Sequence, residues 1–132
     1  MSTGDNKAIV RRFLQLLDEQ NFDALKEHPG LYQTVVRHPL VRAAFPDLQT
    51  TVDHQIAEGD TVATRATLTG THLGTFMGIA PTNQRLTWSV LLMDRIAEGK
   101  IVLHHANADW LGVLVKLGVV APPTRATPQP SE

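Results

Sequence analysis

Hydrophobic positions near the start of the chain recur at helical spacing. Ile9, Phe13, Leu16 and Leu17 share one face, with Arg11, Arg12, Asp18 and Glu19 around the rest of the turn. This predicts a first helix with Asp5 as its N-cap. Asn21 is placed to cap a short second helix through Ala24 and Leu25. That helix should stop at His28-Pro29-Gly30, because a residue before proline avoids helical geometry and glycine breaks it. Residues 31–44 read as a third helical segment, interrupted or kinked at Pro39 and closed by Pro46. The period then changes. Residues 50–56 alternate, Glu58-Gly59-Asp60 turns the chain, and residues 61–69, 86–93 and 100–105 are rich in β-branched and apolar side chains. Ala97-Glu98-Gly99 supplies a hairpin turn between the last two strands. Residues 110–117 predict a short closing helix with Gly118 just past its end. Helices followed by an antiparallel meander point to an α+β fold with the helices on one side of a sheet.

A chain of 132 residues is long enough for one domain, expected over residues 1–118. The ending APPTRATPQPSE is Pro-rich with little to bury, so residues 119–132 are expected to be a disordered tail. The net charge of −1, with no Lys/Arg run, argues against nucleic acid and anionic membranes as partners. Cysteine is absent, which excludes disulfides, thiolate nucleophiles and Cys-type zinc sites. No stretch reads as a signal-peptide core or a bilayer span, so a cytoplasmic location is expected. Phosphate-cradling glycine loops, serine-nucleophile motifs and dinucleotide fingerprints are also missing.

Several blocks carry a more specific signal: FPDL over residues 45–48, AEGD over 57–60, GTHLGTFMGIAPT over 70–82, Arg95-Ile96, GKIV over 99–102 and Leu117-Gly118. Their order and wording resemble the SnoaL-like polyketide cyclase family across most of residues 8–118. The resemblance implies a cone-shaped, curved antiparallel sheet with N-terminal helices packed over it, around one deep pocket. It further implies a cofactor-independent cyclase, isomerase or epoxide-opening enzyme acting on a hydrophobic, polyketide- or terpenoid-like small molecule. It also implies a homodimer or higher homo-oligomer paired through its sheets. Aligned through the shared GKI, the family's catalytic Asp falls at Ala106, and its polar partners fall near Val90 and Leu92. The segment His28-Pro29-Gly30-Leu31-Tyr32-Gln33 resembles the family's His-Pro segment and places a pocket residue near Gln33. The stretch from there to FPDL is shorter than usual.

Strand alternation divides the last strand into Val102, His104, Ala106 and Ala108 on one face and Ile101, Leu103, His105 and Asn107 on the other. The first set contains the position matching the family's Asp and is assigned to the pocket. The same argument on the neighbouring strand selects Trp88, Val90 and Leu92 over Thr87, Ser89 and Leu91. His104 is then the one titratable group expected on the inner face, a candidate for moving a proton. Its competing role is that of a packed core histidine. Asp109 is the second catalytic candidate, although its place before the closing helix reads first as a cap. Tyr32 and Gln33 are expected at the pocket mouth, while Phe13 and Phe76 read first as plain packing and second as ligand-facing. His72 either braces the Gly-rich connection or touches ligand. His105 and Asn107 are expected to meet a helix or another subunit. Adjacent His104 and His105 point apart and no His-x-x-x-His pair sits on a helix, so no metal site is expected, and the resemblance implies no cofactor. Three functions follow. The favoured one is an enzyme whose apolar pocket folds the substrate while His104, with Asp109 or Gln33, moves a proton. The others are a non-catalytic small-molecule binder and an oligomeric accessory protein that uses the outer sheet face.

Overall fold

A computed structural model describes residues 2–122. Most of the expected disordered tail, residues 123–132, lies outside the described residues. Helix α1 (Thr3–Asp18), α2 (Phe22–Leu25), a 3-10 turn (Pro29–Leu31) and α3 (Tyr32–Ala44) lead into strands β1 (Gln49–Glu58), β2 (Thr61–Thr71), β3 (Arg85–Ala97) and β4 (Lys100–Ala108). Helix α4 (Trp110–Lys116) follows. The strands pair antiparallel in the order β1-β2-β3-β4, so the expected α+β meander is realised. Among the described residues no helix is long and apolar enough to cross a membrane.

Helix α1 starts earlier than its apolar stripe suggested. Ser2, not Asp5, is the N-cap. The Ser2 hydroxyl accepts the Asp5 amide at 3.0 Å, and the Asp5 carboxylate accepts the Ser2 amide at 3.1 Å. This reciprocal box leaves Asp5 one turn inside, where its charge faces the positive end of the helix dipole. Val10, Phe13, Leu14, Leu16 and Leu17 form the buried stripe of α1. They pack with Leu25, Leu31, Val62, Ala66, Val90, Leu92, Ile96 and Ile101 into the main core. Each Val, Leu, Ile and Phe side chain among them contributes roughly 1.5–3 kcal/mol on burial.

A second core holds Phe45, Leu48, Phe76, Leu86, Trp88, Val113 and Leu117. The Phe45 and Trp88 rings lie 4.9 Å apart, and Phe76 and Trp110 lie 5.1 Å apart. The Gly-rich connection between β2 and β3 is braced by His72. That ring is fully buried; its Nδ1 accepts the Thr82 amide at 3.2 Å and lies 2.9 Å from the Thr82 hydroxyl. Bracing, one of the two roles considered for His72, is the one it occupies.

Helix α3 runs through Pro39 without a break and stops at Phe45, the residue before Pro46. Of its residues only Ala44 is buried. Arg42 tethers it instead, donating to the Leu48 carbonyl at 3.0 Å and the Leu17 carbonyl at 3.4 Å. The long α3 face is left largely to solvent.

Candidate active site

Strand β3 alternates without error. Leu86, Trp88, Val90, Leu92, Asp94 and Ile96 are buried, while the residues between them are exposed. Asp94 has no exposure at all, on the same inner face as the apolar core. A carboxylate there needs a partner, because burying an unpaired charge is costly.

The partner comes from β4 through an irregularity in the hairpin. The tight turn at Glu98 and Gly99, both at positive φ, sets Ala97 opposite Lys100 and Ile96 opposite Ile101. Arg95 then pairs with Leu103, so Val102 is an extra residue bulged out of the ladder. One extra residue reverses strand parity. Ile101 therefore joins the inner face and is fully buried, contrary to its expected outer placement. His104 lands opposite Asp94.

His104 Nδ1 and Asp94 Oδ1 are 2.5 Å apart, with side-chain exposures of 9% and 0%. The second carboxylate oxygen has no hydrogen-bond partner among the described residues. Phe13 of α1 presents an edge-on contact to the imidazole, with centroids 5.2 Å apart and planes at 80°. The expectation that His104 would be the sole titratable group on this face is corrected: Asp94 shares it. A carboxylate bonded to Nδ1 fixes the ring orientation and favours the tautomer with the proton on Nδ1, leaving Nε2 for proton exchange. The signal for Asp94 was present in the sequence as the next member of the series Trp88, Val90, Leu92.

Beyond the pair, the inner rows are apolar. Leu92 stands opposite Ala106 and Val90 opposite Ala108. Ala106 is exposed and Ala108 half-buried, so small side chains leave this end of the face open. Trp88 and Phe76 lie in the second core rather than beside His104. Asp109 is not part of the pair. Its carboxylate caps α4, accepting the Gly112 amide at 2.9 Å, and it is exposed. Tyr32 and Gln33 are likewise exposed in the first turn of α3. Tyr32 lines an outer groove of about 370 Å³ with Lys26, His28, Pro29, Val35 and Val36. A further cavity of about 450 Å³ is lined by residues including Asp18, Arg42, Asp47 and Thr50; neither includes Asp94 or His104. Among the described residues no three His, Asp or Glu side chains converge as metal ligands.

The model of the SnoaL-like polyketide cyclase family matches residues 7–117. AclR of Streptomyces galilaeus, a candidate hydroxylase, superposes with a TM-score of 0.83 at 30% identity, over 94% of this chain and 87% of its own. IdmH of Streptomyces antibioticus, a candidate polyketide cyclase, gives 0.74 at 27% identity, over 86% of this chain and 99% of its own. A candidate SnoaL-like polyketide cyclase from Jannaschia sp. CCS1 shares the fold, with a TM-score of 0.78 at 24% identity over 92% of this chain and 95% of its own. No curated protein matches the chain in sequence. With a family match spanning nearly the whole described domain, and the helices and four-stranded meander of its neighbours, the chain belongs to the SnoaL-like polyketide cyclase family.

Proposed function

We propose that the protein is a cyclase- or isomerase-type enzyme that moves a proton on a hydrophobic, carbonyl-bearing, polyketide-like small molecule. The Asp94–His104 pair serves as its acid–base centre. The observation that carries this reading is the wholly buried carboxylate bonded to an imidazole on the inner sheet face. In the proposed step, His104 Nε2 takes a proton from the carbon next to a substrate carbonyl, and the electron pair moves into an enolate. The imidazolium that forms is stabilised by the Asp94 carboxylate. The same nitrogen then returns the proton to carbon or to oxygen, and in a cyclase the enolate carbon attacks a second carbonyl before that return. A positioned base supplies roughly 10²–10⁴-fold acceleration. Folding a flexible substrate against the apolar rows of Val90, Leu92, Ala106 and Ala108 adds to it. Ala106 has no proton to offer, so the pair replaces a carboxylate at that position as the proton carrier.

A test that does not require the natural substrate is deuterium uptake. Polyketide-like β-diketones of increasing size are incubated with the protein in D2O, and exchange at the carbon between the carbonyls is followed by mass spectrometry. The wild type should accelerate exchange. His104→Gln and Asp94→Asn should lower the rate at least about 100-fold while still folding cooperatively. Exchange that survives His104→Gln would sink the proposal. A second reading, non-catalytic binding, draws on the same apolar rows and the absent acid at Ala106. Under it the diketones bind, no variant or wild type accelerates exchange, and His104→Gln alters affinity only.

A further inference from the structure

We propose that His28 is a positioning residue for the Asp94–His104 pair, acting by holding the bulge at Val102. The proposal rests on the reading above for its catalytic consequence, while the geometry stands by itself. Strand β4 is an edge strand, with β3 on one side only. The segment just before α3 covers that edge at the bulge. His28 Nδ1 accepts the Ile101 amide at 2.9 Å. Two residues on, Gly30 lies so close that an added Cβ would be 2.7 Å from the Leu103 nitrogen and 2.7 Å from the Val102 carbonyl carbon. One hydrogen bond and one close backbone contact thus fall on the three residues that make the bulge. An acceptor at Nδ1 requires an unprotonated ring, and burial followed by the nearby Lys100 charge keeps the His28 pKa below its usual value.

The bulge needs holding because the regular ladder competes with it. Without the extra residue, Arg95 would pair with Val102, Asp94 with Leu103 and Met93 with His104. Leu103, now 47% exposed, would turn inward, and His104 would turn to the outer face. Hydrophobic burial of Leu103 therefore favours the wrong register. The His28 bond, by seating the 28–30 segment against the Val102 and Leu103 backbone, and the Asp94–His104 bond oppose it.

The test compares His28→Ala with His28→Asn, whose side-chain oxygen can still accept the Ile101 amide. Two readouts follow the register by NMR: the low-field His104 Nδ1 proton, and cross-strand contacts of Asp94 to His104 or to Leu103. His28→Ala should shift the ratio of the two registers about five- to tenfold toward Leu103, the loss expected for one hydrogen bond. His28→Asn should retain the native pattern. Adding Leu103→Thr to His28→Ala should restore it by removing the competitor's gain. If His28→Ala keeps the wild-type pattern, the proposal is overturned. Should His28→Ala fail to fold, the pattern in His28→Asn decides: retained, it supports the role; lost, it overturns it. A wild type that shows the native register and its His28 dependence but exchanges no deuterium would sink the catalytic reading and leave the positioning role standing.

Discussion

At Asp94 and His104 the fold accepts a cost at two residues. Removing a carboxylate entirely from water and an imidazole nearly so is expensive, and the bond between them repays this only in part. If the pair exists for chemistry, well-packed apolar side chains should serve stability as well or better. The double variant Asp94→Leu/His104→Leu is predicted to be neutral or more stable by about 1–4 kcal/mol in urea unfolding, and inert in the exchange assay. A clear loss of stability would assign the pair to holding the fold. The buried alternation Trp88, Val90, Leu92 was legible and correct, but the strand was expected to end at Met93. Asp94 and Arg95 resemble the start of a turn because charged side chains are uncommon in strands. Each finds a tertiary partner: Asp94 in His104, and Arg95 in Asp60 on the outer face at 3.1 Å. The tertiary partners extended the strand by four residues.

The elements themselves were mostly visible as periodicity, yet two of their decisive features are long-range. The Val102 bulge depends on His28 and Gly30, some 70 positions earlier, so local alternation assigned Ile101 to the wrong face. The seating of α3 depends on Arg42 and its neighbour His38 rather than on an apolar stripe. His38 Nε2 accepts the Arg42 Nε–H at 3.3 Å, and Phe22 packs near its ring. Burial, then the Arg42 charge, lowers the His38 pKa from 6.5 to about 4. A histidine whose folded pKa lies below its unfolded value contributes stability above pH 6.5 that is lost as pH falls toward 4. After allowance for partial solvent screening, about 1–3 kcal/mol should disappear over that window. His38→Gln retains an acceptor for Arg42 without titrating, so its urea midpoint should fall less between pH 7 and pH 4. Parallel curves for the two proteins would exclude His38 as the cause.

For the whole molecule, the same alternation that buries Leu92 and Asp94 exposes their neighbours. Leu91 and Met93 are 58% and 56% exposed on the outer sheet face, with Ile56 at 60% and Leu103 at 47%. Register joins them: Ile56, Ala63, Met93 and His105 form one row, Arg65, Leu91 and Asn107 the next on one side, and Thr61, Arg95 and Leu103 the next on the other. A contiguous apolar patch flanked by polar residues is a surface suited to association, and a second copy presenting the same face satisfies it by two-fold symmetry. We therefore predict a homodimer paired through the sheets. In sedimentation experiments Met93→Glu should convert it to monomer and leave the His104 Nδ1 proton signal unchanged, because adjacent strand residues serve opposite faces. A wild type that sediments as a monomer at tens of micromolar would remove the prediction. The register links this face to the inner one. A β4 slip would carry Leu103 inward and His104 outward, so His28→Ala should weaken the dimer as well as the pair. Met93→Glu, which leaves the register alone, should weaken the dimer only. That asymmetry separates a shared register from mere proximity of two surfaces on one thin sheet.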